Sequence, residues 1–198
     1  MYSGISAVKA ENIDVTYTGE TFAIAPVAYD ELGNVSGATY KYFSDENCTK
    51  EIANSFVNVS DSKEVYVKAY KSEYVKGQSE PVLVTVKINK AVPEFELSPV
   101  DGSVIGNVNE LIYGGKSSAE FDIVKNSSNG TISFVTEPAD VNGIITVKNE
   151  DGKIIVKADK NASDGNIVVK VISTDTTRNY ENAEIELLVS VAKGKIEN

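Results

Sequence analysis

The 198-residue chain has no histidine and one cysteine, which removes most of the chemistry that side chains perform near neutral pH. Histidine is the commonest general base and the commonest zinc ligand, so histidine-based triads and histidine-ligated zinc are excluded. The lone Cys48 cannot close an internal disulfide. A Ser–Lys pair or a carboxylate pair stays formally open. Asp and Glu are nevertheless scattered through turn sequences instead of gathering at a catalytic spacing. The expectation is solvated surface charge, no catalytic residue and no enzyme.

Three loops gather oxygen ligands of the kind Ca²⁺ accepts: Asp45-Glu46-Asn47, Asn149-Glu150-Asp151-Gly152, and residues 159–166. None has EF-hand spacing, and Asn, Asp and Gly are also the residues that build turns. Plain turns and no cofactor are expected, with a structural calcium as the single alternative. Cys48 and Gln78, the only glutamine, are the residue types an internal thioester would join. The residues around them do not resemble thioester domains, so Cys48 is read as a turn residue with a free thiol.

Aromatic chemistry is richer. Seven of the ten tyrosines fall between residues 17 and 74, and an aromatic face can bind the apolar side of a sugar ring. Tyr40 and Tyr42 share one face of a predicted strand, and Tyr66 and Tyr70 share a face of another with Lys68 between them. These four are the candidate glycan-stacking residues. Packing across strands is the ordinary alternative, since strands favour tyrosine and the chain has no tryptophan. Val65, Val67 and Ala69 make the better core face, which turns Tyr66 and Tyr70 outward.

The elements that carry these residues are strands. Helical periodicity is nearly absent, and short alternating runs recur between Gly, Asn, Asp and Ser clusters. Such runs are Val65–Ala69, Val82–Ile88, Ile167–Val171 and Ile185–Val191. Residues 144–147 and 154–157 predict a hairpin around Asn149-Glu150-Asp151-Gly152, where Asp-Gly supplies the positive φ of a tight reversal. A junction-like sequence recurs at Val8-Lys9-Ala10-Glu11, over residues 83–93 and at Leu188-Val189-Ser190-Val191-Ala192-Lys193. It suggests terminal strands running into linkers, in a fragment cut from a longer array, with Pro93 and Pro99 stiffening the middle linker. The predicted domains are 1–91 and 92–198, each of a size that buries a core without disulfides.

Charge and hydropathy narrow the partners. The formal charge of -10 repels nucleic-acid phosphate and anionic lipid. The most apolar run, residues 185–191, is broken by Glu186 and Ser190 and is far short of the roughly 20 residues a spanning helix needs. No membrane insertion and no nucleic acid are expected, and residues 1–10 lack a signal-peptide pattern.

Particular stretches carry a family resemblance. Residues 15–22, the strand and following turn over residues 39–49, the strand Val65–Ala69 and the closing Val84–Ala91 resemble the immunoglobulin-like MBG repeats of Gram-positive surface proteins. Val65 stands where many of those repeats carry tyrosine. More loosely, residues 143–147, 151–153, 165–171 and 179–183 resemble bacterial Ig-like domains. The resemblance implies an all-β fold of two tandem immunoglobulin-like β-sandwich domains: an MBG-like domain over 1–91 and a bacterial Ig-like domain over 92–198. It implies non-catalytic spacer modules of an exported, cell-surface protein such as an adhesin, in a fragment without its own signal peptide and anchor. The alternative it carries is a carbohydrate- or host-protein-binding accessory module of an adhesin or an extracellular glycoside hydrolase. The partners expected are neighbouring modules of the same polypeptide, then host glycan or extracellular protein, with the chain itself a monomer.

Overall fold

In the computed structural model the described residues are 5–35, 37–71, 77–100, 102–105, 108–112, 118–159 and 164–192. Internal contacts divide the chain into two compact units, Met1–Ala91 and Val92–Asn198.

The first unit contains β1 (Ala7–Lys9), β2 (Ile13–Thr16), β3 (Val27–Asp30), β4 (Gly33–Asn34), β5 (Thr39–Phe43), β6 (Glu51–Ile52), β7 (Lys63–Tyr70) and β8 (Val82–Asn89). They form a three-stranded sheet ordered β1-β3-β4 and a five-stranded sheet ordered β2-β8-β7-β5-β6. Strand alternation decides the core. Val65, Val67 and Ala69 of β7 and Val84, Val86 and Ile88 of β8 point one way and are buried against Ile5, Val8, Ile24, Ala28 and Phe56. Each valine or isoleucine so buried contributes roughly 1.5–3 kcal/mol relative to leaving it in water.

The second unit contains β9 (Phe95–Val100), β10 (Val108–Ile112), β11 (Ser118–Asn126), β12 (Thr131–Glu137), β13 (Ile145–Glu150), β14 (Lys153–Ala158), β15 (Gly165–Thr174) and β16 (Ala183–Ala192). Its sheets are ordered β13-β14-β11-β9 and β10-β16-β15-β12. Phe121, Ile154, Val156, Val169, Val171 and Leu187 fill the space between them and are fully buried. The hairpin predicted around residues 149–152 forms, with the ladder running to Glu150↔Lys153. The reversal is thus only Asp151-Gly152, both at positive φ (51° and 78°).

Both units split their first strand between the two sheets. β1 pairs antiparallel with β3, and the chain then crosses so that β2 runs parallel to the last strand, β8. In the second unit β9 pairs antiparallel with β11, and β10 runs parallel to β16. This corrects two expectations. Val8-Lys9 is not a tail running into a linker: β1 is an integral strand, and Val8 is buried in the core. Pro99 lies not in a linker but inside β9, opposite Phe121. It is tolerated there because β9 is an edge strand, where the missing N–H breaks no central ladder.

Candidate binding surface

The register of the five-stranded sheet sorts the four candidate tyrosines. Tyr40 lies opposite Ala69 and Tyr42 opposite Val67, both fully buried, so these two tyrosines face the core and pack against it. The backbone N–H of Ala28 donates to the Tyr40 phenol oxygen at 3.0 Å, linking β3 in one sheet to β5 in the other. Burial raises the Tyr42 phenol above its ordinary pKa, opposed by a hydrogen bond with Asn54. Tyr40 and Tyr42 therefore form part of the packing between sheets and offer no open stacking platform.

Tyr66 and Tyr70 face outward, as their alternation with Val65, Val67 and Ala69 requires. Tyr66 lies between Phe43 on β5 and the half-exposed Leu83 on β8. Phe43, which the sequence reading did not single out, is only 5% exposed although its register places it on this outer side. The chain beyond it folds into a tight turn. Ser44 N–H donates to Lys50 O at 3.0 Å, and the Asp45 carboxylate accepts from Thr49 N–H, Thr49 Oγ1 and Lys50 N–H. Residues of this turn lie close enough to Tyr66 and Tyr70 to act on both phenols. Burial first, then the charges of Glu46, Glu64 and Asp45, raise the Tyr66 phenol pKa. Burial and the Cys48 thiol raise that of Tyr70.

Two lysines converge on Tyr70. Lys41 and Lys68 are directly opposite each other on β5 and β7, an arrangement of like charges that destabilises a sheet. Their ammonium groups stand 5.9 Å and 5.8 Å from the Tyr70 ring centroid, within range of cation–π attraction. Lys41 also pairs with Glu51 at 2.9 Å, and that hydrogen bond is the main reason its pKa is raised. The surface is thus a short apolar pair, Leu83 and Tyr66, that ends at the buried Phe43 and lies beside a cationic row, Lys68 and Lys41, with Tyr70 beneath the two ammonium groups.

In the loops raised as calcium ligands, two of the carboxylates, Asp45 and Asp159, accept hydrogen bonds from the protein itself. Asp45 caps its own turn, Asp151 occupies a left-handed turn position, and Asp159 accepts from Thr146 Oγ1 at 2.8 Å. Residues 160–163 lie outside the described residues. Among the described residues no group of three or more Asp, Glu or Cys side chains could hold a metal ion. Cys48, at φ 53°, makes a long contact of 3.7 Å to Glu46 O, and burial raises its thiol pKa. Gln78 bridges to Tyr70 in the sheet.

The second unit has a buried polar knot at one end. Asp175, 8% exposed, accepts from the backbone N–H groups of Thr177, Asn179 and Tyr180 and from Thr177 Oγ1. Nearby, Asn126 Oδ1 accepts from Ser173 Oγ at 2.7 Å, and Asn126 Nδ2 donates to Gly130 O. Among the described residues every buried side-chain N or O has a partner, so this knot shapes loops and leaves no group free for a ligand.

No protein-family model and no curated protein matches the chain. Solved structures do. Titin domains Z1Z2, determined in complex with telethonin, superpose with a TM-score of 0.53 at 12% identity, covering 98% of this chain and 100% of that one. The D00-D0 domain of intimin aligns at 15% identity, TM-score 0.29, over 94% and 98% of the two chains. Sidekick-1 immunoglobulin domains 1–5 align at 12% identity, TM-score 0.30, over 96% of this chain and 41% of that one. Two-sheet units with a split first strand and an all-β composition define the class: the chain consists of immunoglobulin-like β-sandwiches.

Proposed function

We propose that the chain is a pair of non-catalytic, load-bearing spacer modules of a bacterial cell-surface or secreted protein of the adhesin type, the first MBG-like over 1–91 and the second a bacterial Ig-like domain over 92–198. The observation that carries this reading is the parallel pairing of β2 with β8 and of β10 with β16. Tension on a unit enters at β1 or β9, and once that short strand has been pulled from β3 or β11 it passes to the start of β2 or β10 and leaves at the end of β8 or β16. Parallel partners loaded from opposite ends are sheared, so their evenly spaced hydrogen bonds resist together instead of opening one at a time. Forced unfolding is governed by the unfolding barrier, and this topology raises that barrier in the direction a surface-anchored protein is pulled. The partners are then neighbouring modules of the same polypeptide, the chain acts as a monomer outside the cell, and no cofactor is needed.

Single-molecule stretching tests it. Handles at the two ends of a unit should give a markedly higher unfolding force than handles that peel β8 or β16 from one side. Equal forces in the two geometries would sink the load-bearing reading.

A second reading, a glycan- or protein-binding accessory module, is favoured by one observation: Leu83, Tyr66 and Tyr70 face outward beside Lys41 and Lys68. A screen against glycans and extracellular-matrix proteins, with and without calcium, addresses it. Binding abolished by paired Tyr66→Ala and Tyr70→Ala substitutions would support this surface; binding unchanged by them would remove it.

A further inference from the structure

Two Asn-Gly pairs lie in turns of the second unit, and the fold treats them in opposite ways. At Asn129-Gly130 the Asn129 N–H donates to Asn126 O at 2.9 Å. The Gly130 N–H donates to Asn126 Oδ1 at 3.3 Å and to Ser128 Oγ at 3.2 Å. Gly130 is buried, and a Cβ placed on it would lie 2.3 Å from Ser173 Oγ and 2.9 Å from the Thr174 carbonyl. At Asn142-Gly143, between β12 and β13, both residues are exposed. Gly143 adopts φ +73°, and a Cβ there would meet nothing within 4 Å. Asn142 N–H donates to Asp140 Oδ1 at 3.1 Å. Among the described residues nothing engages the Gly143 N–H or the Asn142 side-chain amide.

We propose that Asn142 is a site of spontaneous deamidation, with the isoaspartyl backbone as its main product and Asn129 protected by the fold. The Gly143 backbone nitrogen, after losing its proton to hydroxide, attacks Cγ of the Asn142 side chain. A C–N bond closes a five-membered succinimide, the bond from Cγ to the amide nitrogen breaks, and ammonia leaves after taking a proton from water. Water then opens the ring at either carbonyl, leaving aspartate or isoaspartate at position 142. Only water is consumed and no redox partner is involved. Glycine is the residue that permits the attack most readily, because no Cβ shields its nitrogen and its backbone is free to rotate. The same attack at Asn129 requires the two hydrogen bonds of Gly130 to break and the glycine to leave its seat against Ser173. Asn129 therefore reacts only through a local opening of the loop, whose free energy is added to its barrier.

The product matters to the unit. Each event adds one negative charge to an acidic chain, and isoaspartate inserts a methylene into the main chain of the turn. Val141 O there accepts from the N–H groups of Ile144 and Ile145 at 3.0 and 3.2 Å, and Ile145 is the first buried residue of β13. The turn thus records the age of the molecule as a chemical change at its surface.

The experiment is incubation of the intact chain in mildly alkaline buffer, with proteolytic peptide mapping by mass spectrometry and enzymatic methylation of isoaspartate as the second readout. The peptide holding Asn142 should convert at least about tenfold faster than the one holding Asn129, a ratio equivalent to a barrier difference of about 1.4 kcal/mol. The rate should rise with pH, and Asn142→Gln should abolish most of the isoaspartate label. In urea, where both pairs are unstructured, the two rates should come together. Equal rates in the folded chain, faster conversion at Asn129, or an Asn142 peptide that stays unchanged would each overturn the proposal.

Discussion

The phenol oxygen of Tyr40 sits 3.0 Å from the backbone nitrogen of Ala28 and accepts its hydrogen bond. Ala28 is fully buried, so no water can replace this acceptor, and a core-facing tyrosine satisfies a backbone donor of the opposite sheet. Tyr40→Phe keeps the ring and removes the acceptor. An unsatisfied buried N–H costs about 1–3 kcal/mol, and the first unit should lose stability by that amount in urea denaturation. Tyr66→Phe, on the outer face, should change it by no more than about 0.5 kcal/mol. Equal effects of the two substitutions would show that the Tyr40 hydroxyl contributes nothing beyond its ring.

The contrast between two glycines gives a second prediction. Gly130→Ala forces a methyl group to within 2.3 Å of Ser173 Oγ and 2.9 Å of the Thr174 backbone. The serine can rotate but the backbone cannot. Overpacking of this kind costs about 1–3 kcal/mol or more, and Ser173 would also leave its 2.7 Å bond to Asn126. Gly143→Ala meets no neighbour, and its cost is the strain of placing a side chain at φ +73°, on the order of 1–2 kcal/mol. Thermal unfolding of the second unit should fall further for Gly130→Ala than for Gly143→Ala.

Acid should act on both units through particular carboxylates. The backbone N–H groups of Asn58 and Val57 hold Asp61 below its ordinary value of 3.8. For Asp175 burial acts upward, but the backbone donors of Thr177, Tyr180 and Asn179 together with the Thr177 hydroxyl outweigh it, and the net shift is again downward from 3.8. A carboxyl whose folded pKa is depressed stabilises the fold fully above its unfolded pKa, and that contribution is lost as pH falls through the folded value. Stability should therefore hold through the neutral range and decline as pH drops below about 4. Asp175→Asn should flatten the acid decline of the second unit and leave that of the first unchanged. An unaltered acid limb in that variant would place the titration elsewhere.

Much of this fold is written locally. Val65, Val67 and Ala69 alternate with Tyr66, Lys68 and Tyr70, and period-2 burial sends the first set inward whatever the partner strand is. The Asp151-Gly152 reversal is equally local, because few residue pairs accept two successive positive φ angles. The faces of β5 are harder to read. Tyr40, Tyr42 and Phe43 are all aromatic, and only register against β7 shows that the tyrosines pack inward while Phe43 lies on the outer side, opposite Tyr66. The role of Val8 was hidden for the same reason. A three-residue strand carries too little periodicity to be told from a linker until β3 is seen beside it. Pro99 looks like a linker residue because proline is excluded from central strands, and edge position is a property of the sheet that no local window contains. The convergence of Lys41 and Lys68 on Tyr70 joins residues on different strands, so spacing along the chain could not reveal it.

The last prediction concerns Asn54, whose side chain stands in for a missing strand. Its Oδ1 accepts from Ile24 N–H and its Nδ2 donates to Ile24 O, both at 2.8 Å, and Ile24 is 4% exposed. Asn54→Ala leaves both groups of Ile24 without these partners, and about 1–3 kcal/mol for each unsatisfied group is enough to consume much of a small domain's stability. Asn54→Asp is the sharper test. An ionised carboxylate keeps the acceptor for Ile24 N–H but presents negative charge to Ile24 O, whereas a protonated carboxyl can donate to it. The folded state then favours the neutral form and raises the pKa of Asp at position 54. The contribution of this carboxyl to stability should be greatest below the unfolded value of about 3.9 and fall as pH rises through the folded value, opposite in sign to the contributions of Asp61 and Asp175. Urea melts of the variant and the native chain at matched pH would show the difference between them narrowing toward acid; a constant difference would mean that Ile24 O does not depend on the Asn54 donor.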